Sequence, residues 1–314
     1  MSARWLVLAA AVALLAAVPW FGNAVLIQFG INALLVAVLA QSWNILGGFA
    51  GYVSFGNSVF YGLGSYGVAI AMAQWNLPFW AGLMVAAFVA VAFAALLGWP
   101  ILRLRGPYFA IVTLGISAAM SALAANLDIA GKNVGLILPL TRADTLFYEG
   151  SLVLLAAATL TVAWIAHSRF GMALIAIRED EDAAGSVGVN ATRFKIAALA
   201  MAAFFTALAG GIHAYWITYI DPAGSFDTTL DLRMVIMTMF GGPGTVLGPV
   251  VGALVLSAIY EVLADSISTA AALFFGIVIL VAVIFLPRGL VDLGGGFRTM
   301  GWRYFFANIR QYRI

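Results

Sequence analysis

The chain of 314 residues has no cysteine and two histidines, His167 and His213. No disulfide framework, thiolate metal site or cysteine nucleophile can be built from it, and little remains for metal binding. Charge is scarce too. Asp, Glu, Lys and Arg make up 9% of the residues, against about 25% in a soluble domain. That scarcity excludes an ordinary cytosolic enzyme, a nucleic-acid-binding domain and a disordered chain. The net charge of +2 is too small to imply an anionic partner. What fills the chain is apolar: 64% hydrophobic residues and a mean hydropathy of +1.05. A membrane helix takes about 20 residues, so with short loops the chain has room for about 8 to 10 transmembrane segments. The composition predicts an all-α polytopic membrane bundle forming one domain over residues 1–314.

Apolar runs fall at 5–19, 24–46, 52–73, 79–97, 108–126, 151–166, 196–217, 232–240, 246–263 and 267–286. Backbone polar groups cannot face lipid unpaired, and no period-2 pattern suggests a barrel, so these runs are expected to be helices. The N-terminal stretch has the form of a signal peptide. Apolar character continues after it, however, and a first membrane helix is the expectation. The run 232–240 is too short to cross about 30 Å at 1.5 Å per residue.

Lys and Arg set the orientation. Arg4, the pair Arg103 and Arg105, and the group Arg169, Arg178, Arg193 and Lys195 fall on one side, expected to be cytoplasmic. The basic tail at 287–314 joins them, which places both termini inside. The other side receives mostly acids, among them Asp128, Asp144, Glu149, Asp221, Asp227, Asp231, Glu261 and Asp265. The stretch 232–263 must then start and finish outside, as two half-length helices meeting at Gly241–Gly244.

Glycine and proline interrupt the apolar pattern twice, once in each half. The first break is Gly47-Gly48-Phe49-Ala50-Gly51 and the second Gly241-Gly242-Pro243-Gly244. Broken helices in corresponding halves point to a transporter's substrate path. Close helix packing through small residues is the competing account of each glycine. Polar residues within the runs include Gln28, Asn32, Gln41, Asn44, Ser54, Asn57, Ser58, Thr113 and Ser117. They either join helices by hydrogen bonds or line a hydrated path, for which Asn44, Ser54, Asn57, Thr113 and both glycine breaks are the candidates. No acid or base falls mid-run except Glu261, near an end. Ion-coupled carriers keep such groups in the membrane, so the energy source is expected elsewhere. No Ser/His, His/Glu or paired-carboxylate set suggests an enzyme.

The connection 167–195 holds the one dense charge cluster, Arg178-Glu179-Asp180-Glu181-Asp182. Acids followed by Ala183 and Ala184 open a short helix, and Gly188 ends it. Alone, this predicts a surface helix joining two spans. Its spacing, Asp182-Ala183-Ala184-x-x-x-Gly188, resembles the E-A-A-x-x-x-G motif of ABC importer permeases. Asp182 stands where that motif has glutamate, and its downstream Ile-x-Leu-Pro is absent.

The resemblance widens to the LivM-type permeases of branched-chain amino acid importers. The matching stretches are 44–56 (Asn-Ile-Leu-Gly-Gly-Phe-Ala-Gly-Tyr-Val-Ser-Phe-Gly), 60–66, 102–115, 168–171, 178–181, 241–245 with Gly248-Pro249, and Leu286-Pro287-Arg288-Gly289-Leu290. Asn57 stands where many relatives have histidine. The resemblance implies a multi-pass subunit of the bacterial inner membrane that moves branched-chain or related hydrophobic amino acids. It implies a second, LivH-like permease, two ATPase subunits and a periplasmic solute-binding protein as partners. Asp182, Ala183, Ala184 and Gly188 would couple to the ATPases, with Glu179 and Glu181 as rim contacts. The chain carries no G-x-x-x-x-G-K-[ST] loop, so ATP and Mg would be bound by the partners, with no cofactor in this chain. A urea or short-amide permease of the same family, and a stand-alone carrier or channel, are the alternatives.

Overall fold

The computed structural model describes residues 17–266 except 21 and 142, together with 276, 289 and 290. Most of the first and last apolar runs and of the basic tail lies outside these, and with them the placement of the termini. The described helices are α1 (Ala24–Trp43), α2 (Asn57–Ala73), α3 (Phe79–Ile101), α4 (Pro107–Asn126), α5 (Asp144–His167), α6 (Arg169–Glu179) and α7 (Glu181–Ser186). They continue as α8 (Ala191–Ile217), α9 (Pro222–Ser225), α10 (Thr228–Gly241) and α11 (Gly248–Ser266). Among the described residues, five segments are long and apolar enough to cross a membrane: α1 with its π-turn extension to Gly48, α3, α4, α5 and α8. The chain is an all-α multi-pass membrane protein.

Helix starts follow local chemistry. The side chains of Asn23, Ser168, Asp180, Asn190, Asp221 and Asp227 each accept a backbone N–H of the helix they precede. Such caps satisfy donors that the helix itself leaves free. The sequence suggests one short helix in the connection 167–195, and the structure has two. The additional α6 begins at the Ser168 cap and buries Leu174 and Ile177 against the bundle.

In lipid there is no hydrophobic drive between helices, so close backbone approach matters more. α2 crosses α8 at glycines: a Cβ on Gly64 would strike the Ala207 carbonyl, and one on Gly210 the Tyr61 carbonyl. Ser65 Oγ donates across this crossing to Gly210 O at 3.0 Å. Ala86, Ala87, Ala90 and Ala94 line the buried face of α3, while Phe88 and Leu96 point outward. α4 packs most lightly of the long helices, with Phe109, Thr113, Ser117 and Ala124 buried.

At one end of the bundle, strand β1 (Leu136–Ile137) pairs antiparallel with β2 (Tyr219–Ile220). The basic groups Arg105, Arg178 and Lys195 gather at the other, bonded to the connection that carries α6 and α7 or to the chain it packs on.

Candidate functional site

Both glycine breaks exist, and they meet. α1 runs through a π turn at Asn44–Gly48, and the chain is non-helical from Gly51 until α2 starts at Asn57. α10 stops at Gly241, and α11 starts at Gly248. Asn44, fully buried, joins the two breaks: its Oδ1 accepts from Gly244 N at 2.7 Å and its Nδ2 donates to Thr245 O at 3.0 Å. Gln41 Nε2 donates to Val246 O at 2.7 Å. A Cβ on Gly48 would lie 2.5 Å from Gly244 N, so the approach requires glycine there. Unwound backbone at this depth is thus buried against protein, as lipid demands. Gln41 and Asn44 act as hydrogen-bonding joints, whereas Gln28 and Asn32, on a different face, are exposed.

Of the other candidate glycines, Gly47 packs on the ring of its own Trp43 and Gly241 on the Gly248 carbonyl. Gly242 and Gly244 adopt φ of +128° and +72°, and Gly51 a φ of +74°. These three serve the turn itself; Gly47 and Gly241 serve packing.

Arg178, at the end of α6, reaches this junction. Its Nη1 donates to Gly48 O at 3.1 Å, and its Nε and Nη2 hold Glu179 Oε1 at 3.3 and 3.0 Å. A Cβ on Gly51 would sit 2.6 Å from the Arg178 Cγ, and one on Gly244 3.2 Å from its Nη1. One guanidinium therefore touches both breaks and the connection between α5 and α8.

A second set of bonds ties α7 to the bundle. Lys195 Nζ, buried, donates at 2.8 Å each to Glu181 Oε1, Tyr52 OH and Leu102 O. Tyr52 OH also donates to Glu181 Oε2. Arg105 grips Asp182 with two nitrogens at 3.0 and 2.8 Å and lies 3.6 Å from Glu181. Burial opposes ionisation of Glu181, but the bonds from Lys195 and Tyr52 and the charges of Lys195 and Arg105 outweigh it. Its carboxyl titrates below its usual range. Asp182 is held below its usual range as well, by the Arg105 hydrogen bonds and charge. A cavity of about 380 Å³ lies between Gly51–Val53, Arg105–Ala110 and Ile177–Arg178.

Two expectations change here. Glu181 is no rim residue: it faces inward, tied to Tyr52 and Lys195, while Glu179 stays exposed. Ala184 is 4% exposed and packs on its own chain, because a six-residue helix lying on the bundle must turn one side inward. Asp182, Ala183 and the stretch 185–188 form the exposed side. Gly188 ends the segment at φ +92°, as expected of a helix stop.

Deeper in the bundle a third group forms at the start of α2. Thr113 Oγ1 accepts from Phe55 N at 3.1 Å, and Ser54 Oγ from Gly56 N at 3.2 Å. Ser58 N donates to Asp231 Oδ1 at 2.9 Å and Ser58 Oγ to Asp231 Oδ2 at 2.5 Å, with Ser117 Oγ 2.9 Å from Ser58 Oγ. Ser54, Asn57 and Thr113 thus come together, apart from the Asn44 junction. Asp231 is fully buried. The sequence places it among the outer acids; the structure puts it inside, because α10 already dips into the bundle from its Asp227 cap. An acid between Leu230 and Leu232 was the available signal. Arg105, Arg178, Tyr52 and Lys195 are the other members that sequence spacing missed, since each acts across 14 or more residues.

Among the described residues, no group of three or more His, Asp or Glu side chains could hold a metal ion. A family model, branched-chain amino acid transport system / permease component, matches residues 24–284. The high-affinity branched-chain amino acid transport system permease protein LivM of Salmonella typhimurium (strain LT2) is 27% identical over 292 residues, covering 83% of this chain and 68% of that protein. Its Escherichia coli (strain K12) counterpart is 27% identical over 320 residues, 92% of this chain and 75% of that protein. No solved structure matches.

Proposed function

This chain belongs to the family of branched-chain amino acid transport system permease components, and we propose that within it the chain is the LivM-like subunit of an ABC importer. It works in the bacterial inner membrane with both termini in the cytoplasm, as one permease domain beside a LivH-like partner. Two ATPase subunits dock on the exposed side of α7 and bind the ATP and Mg. A periplasmic protein delivers branched-chain or related hydrophobic amino acids.

The observation that carries this reading is the junction. Two helix breaks from opposite halves of the chain are joined through Asn44, and Arg178 links that junction to the segment bearing α7. A movement of α7 forced by nucleotide therefore reaches unwound backbone through one side chain and the Glu181–Tyr52–Lys195 bonds. ATP binding shifts the population of gate conformations by that route. Asp182, Ala183 and Gly188 form the docking side; Ala184 and Glu181 hold the helix to the bundle.

Asp231 removes one argument against a stand-alone carrier, since an ionisable group does lie deep in the bundle. Affinity purification in mild detergent separates the two. Recovery of ATPases with a second permease supports the importer, and uptake of leucine, isoleucine, valine and urea then sorts the solute. A homogeneous chain that moves solute in liposomes without an ATPase overturns it.

A further inference from the structure

We propose that Asp231, Ser58 and Asn57 form an intramembrane site for the ammonium and carboxylate groups of a passing α-amino acid, an inference that rests on the importer function above. Depth comes first. Ser117, which touches Ser58, lies ten residues into α4, about 15 Å along the helix, half of a hydrocarbon core of about 30 Å. Substrate sites of transporters lie at such depth, beside half-helix N-termini. α2 begins there, at the first break, and Asp231 comes from the helix that leads into the second.

The Asp231 carboxyl is fully buried. Its partners are the backbone N–H groups of Asn57 and Ser58 and the Ser58 hydroxyl. No Lys, Arg or His forms an ion pair with it among the described residues; Arg233, two residues on, lies over the Tyr260 ring instead. Capping α2 needs no charge, because serine or asparagine caps as well, and a buried charge carries a desolvation cost that a neutral cap avoids. An intramembrane acid is a functional group by default.

The neighbouring side chain has the opposite need. Asn57 is 1% exposed, and its Nδ2 has no hydrogen-bond partner among the described residues. An amino acid answers both demands: its ammonium meets Asp231 and its carboxylate meets the Asn57 amide. Val59, Phe60 and Ile116 wall a cavity of about 30 Å³ beside Ser54 and Thr113, which is too small for an amino acid. At the site itself Ser58 bonds both carboxyl oxygens of Asp231, so an amino acid enters only when α10 shifts from α2.

The test uses the whole importer in proteoliposomes, with wild-type leucine uptake as the check on the underlying reading. Without wild-type uptake that reading fails; with it, the variants judge the site. Asp231→Asn keeps a cap and the side-chain volume but removes the charge. Uptake turnover should fall at least tenfold while the assembled complex is recovered in wild-type amount. Unchanged uptake overturns the site and leaves a helix cap. A second measurement guards against misfolding. The chain lacks cysteine, so Ser54→Cys supplies a single thiol whose labelling is followed during turnover. Leucine and leucinamide should slow labelling, and 4-methylpentanoate, which lacks the ammonium, should not. Equal protection by all three, or by none, overturns the proposal.

Discussion

Replacing Arg178 with alanine tests the proposed line of force from the ATPases to the gate. The side chain contributes one charge-assisted hydrogen bond to Gly48 O, at 3.1 Å, and its stem packs over Gly51. Hydrogen bonds to charged groups contribute about 1.5–3 kcal/mol. The side chain is 38% exposed, and solvent screening lowers that to about 1–1.5 kcal/mol. If the bond couples the two sites, its loss weakens coupling about five- to twelvefold. The assay is ATP hydrolysed per leucine imported, in proteoliposomes holding the full complex. The ratio should rise by that factor, with the ATPases still bound. Arg178→Lys, which keeps the charge but not the planar fork, should fall between. An unchanged ratio in Arg178→Ala refutes the reasoning, and so does loss of the ATPases from the complex, which would make Arg178 part of the docking surface.

The two alanines of α7 should part company. Ala184→Trp forces a large ring into a closed contact, at a cost of about 1–3 kcal/mol, and should lower the Tm of the isolated permease, whereas Ala183→Trp should leave Tm alone and release the ATPases; equal Tm values would contradict the burial of Ala184. Glu181 has a depressed folded pKa, so its stabilising effect is complete above the usual carboxylate range and is lost as pH falls through the folded value. Thermal melts of wild type against Glu181→Gln between pH 3 and 7 should converge at the acid end; a constant gap would sink the assignment. Asn44→Leu leaves Gly244 N–H and Thr245 C=O unpaired at the junction, about 1–3 kcal/mol for each buried group, and should lower Tm clearly while Asn32→Leu, on an exposed face, does not.

The breaks were legible because glycine and proline act locally: Gly51, Gly242 and Gly244 hold backbone angles that other residues resist. Helix α6 escaped because it is only 11 residues long and its Ser168 cap stands directly after α5. The roles of Glu181 and Ala184 escaped for a different reason. A charge cluster reads as solvated, and which side of a six-residue helix turns inward depends on what lies beneath it. Here that is Lys195 from α8 and Tyr52 from the first break.

The amino-acid sequence by itself determined that the chain is a multi-pass helical membrane protein, where its helices break, and which connection carries the charge. Those properties are set by composition, by apolar run length against bilayer thickness, and by backbone rules that operate within a few residues. Only the tertiary structure decided that the two breaks are one junction, that Arg178 reaches it, and that Asp231 lies in the bundle rather than at its rim. Each of these joins groups 130 to 200 residues apart. Side chains buried in a low-dielectric interior choose partners by position and not by spacing along the chain.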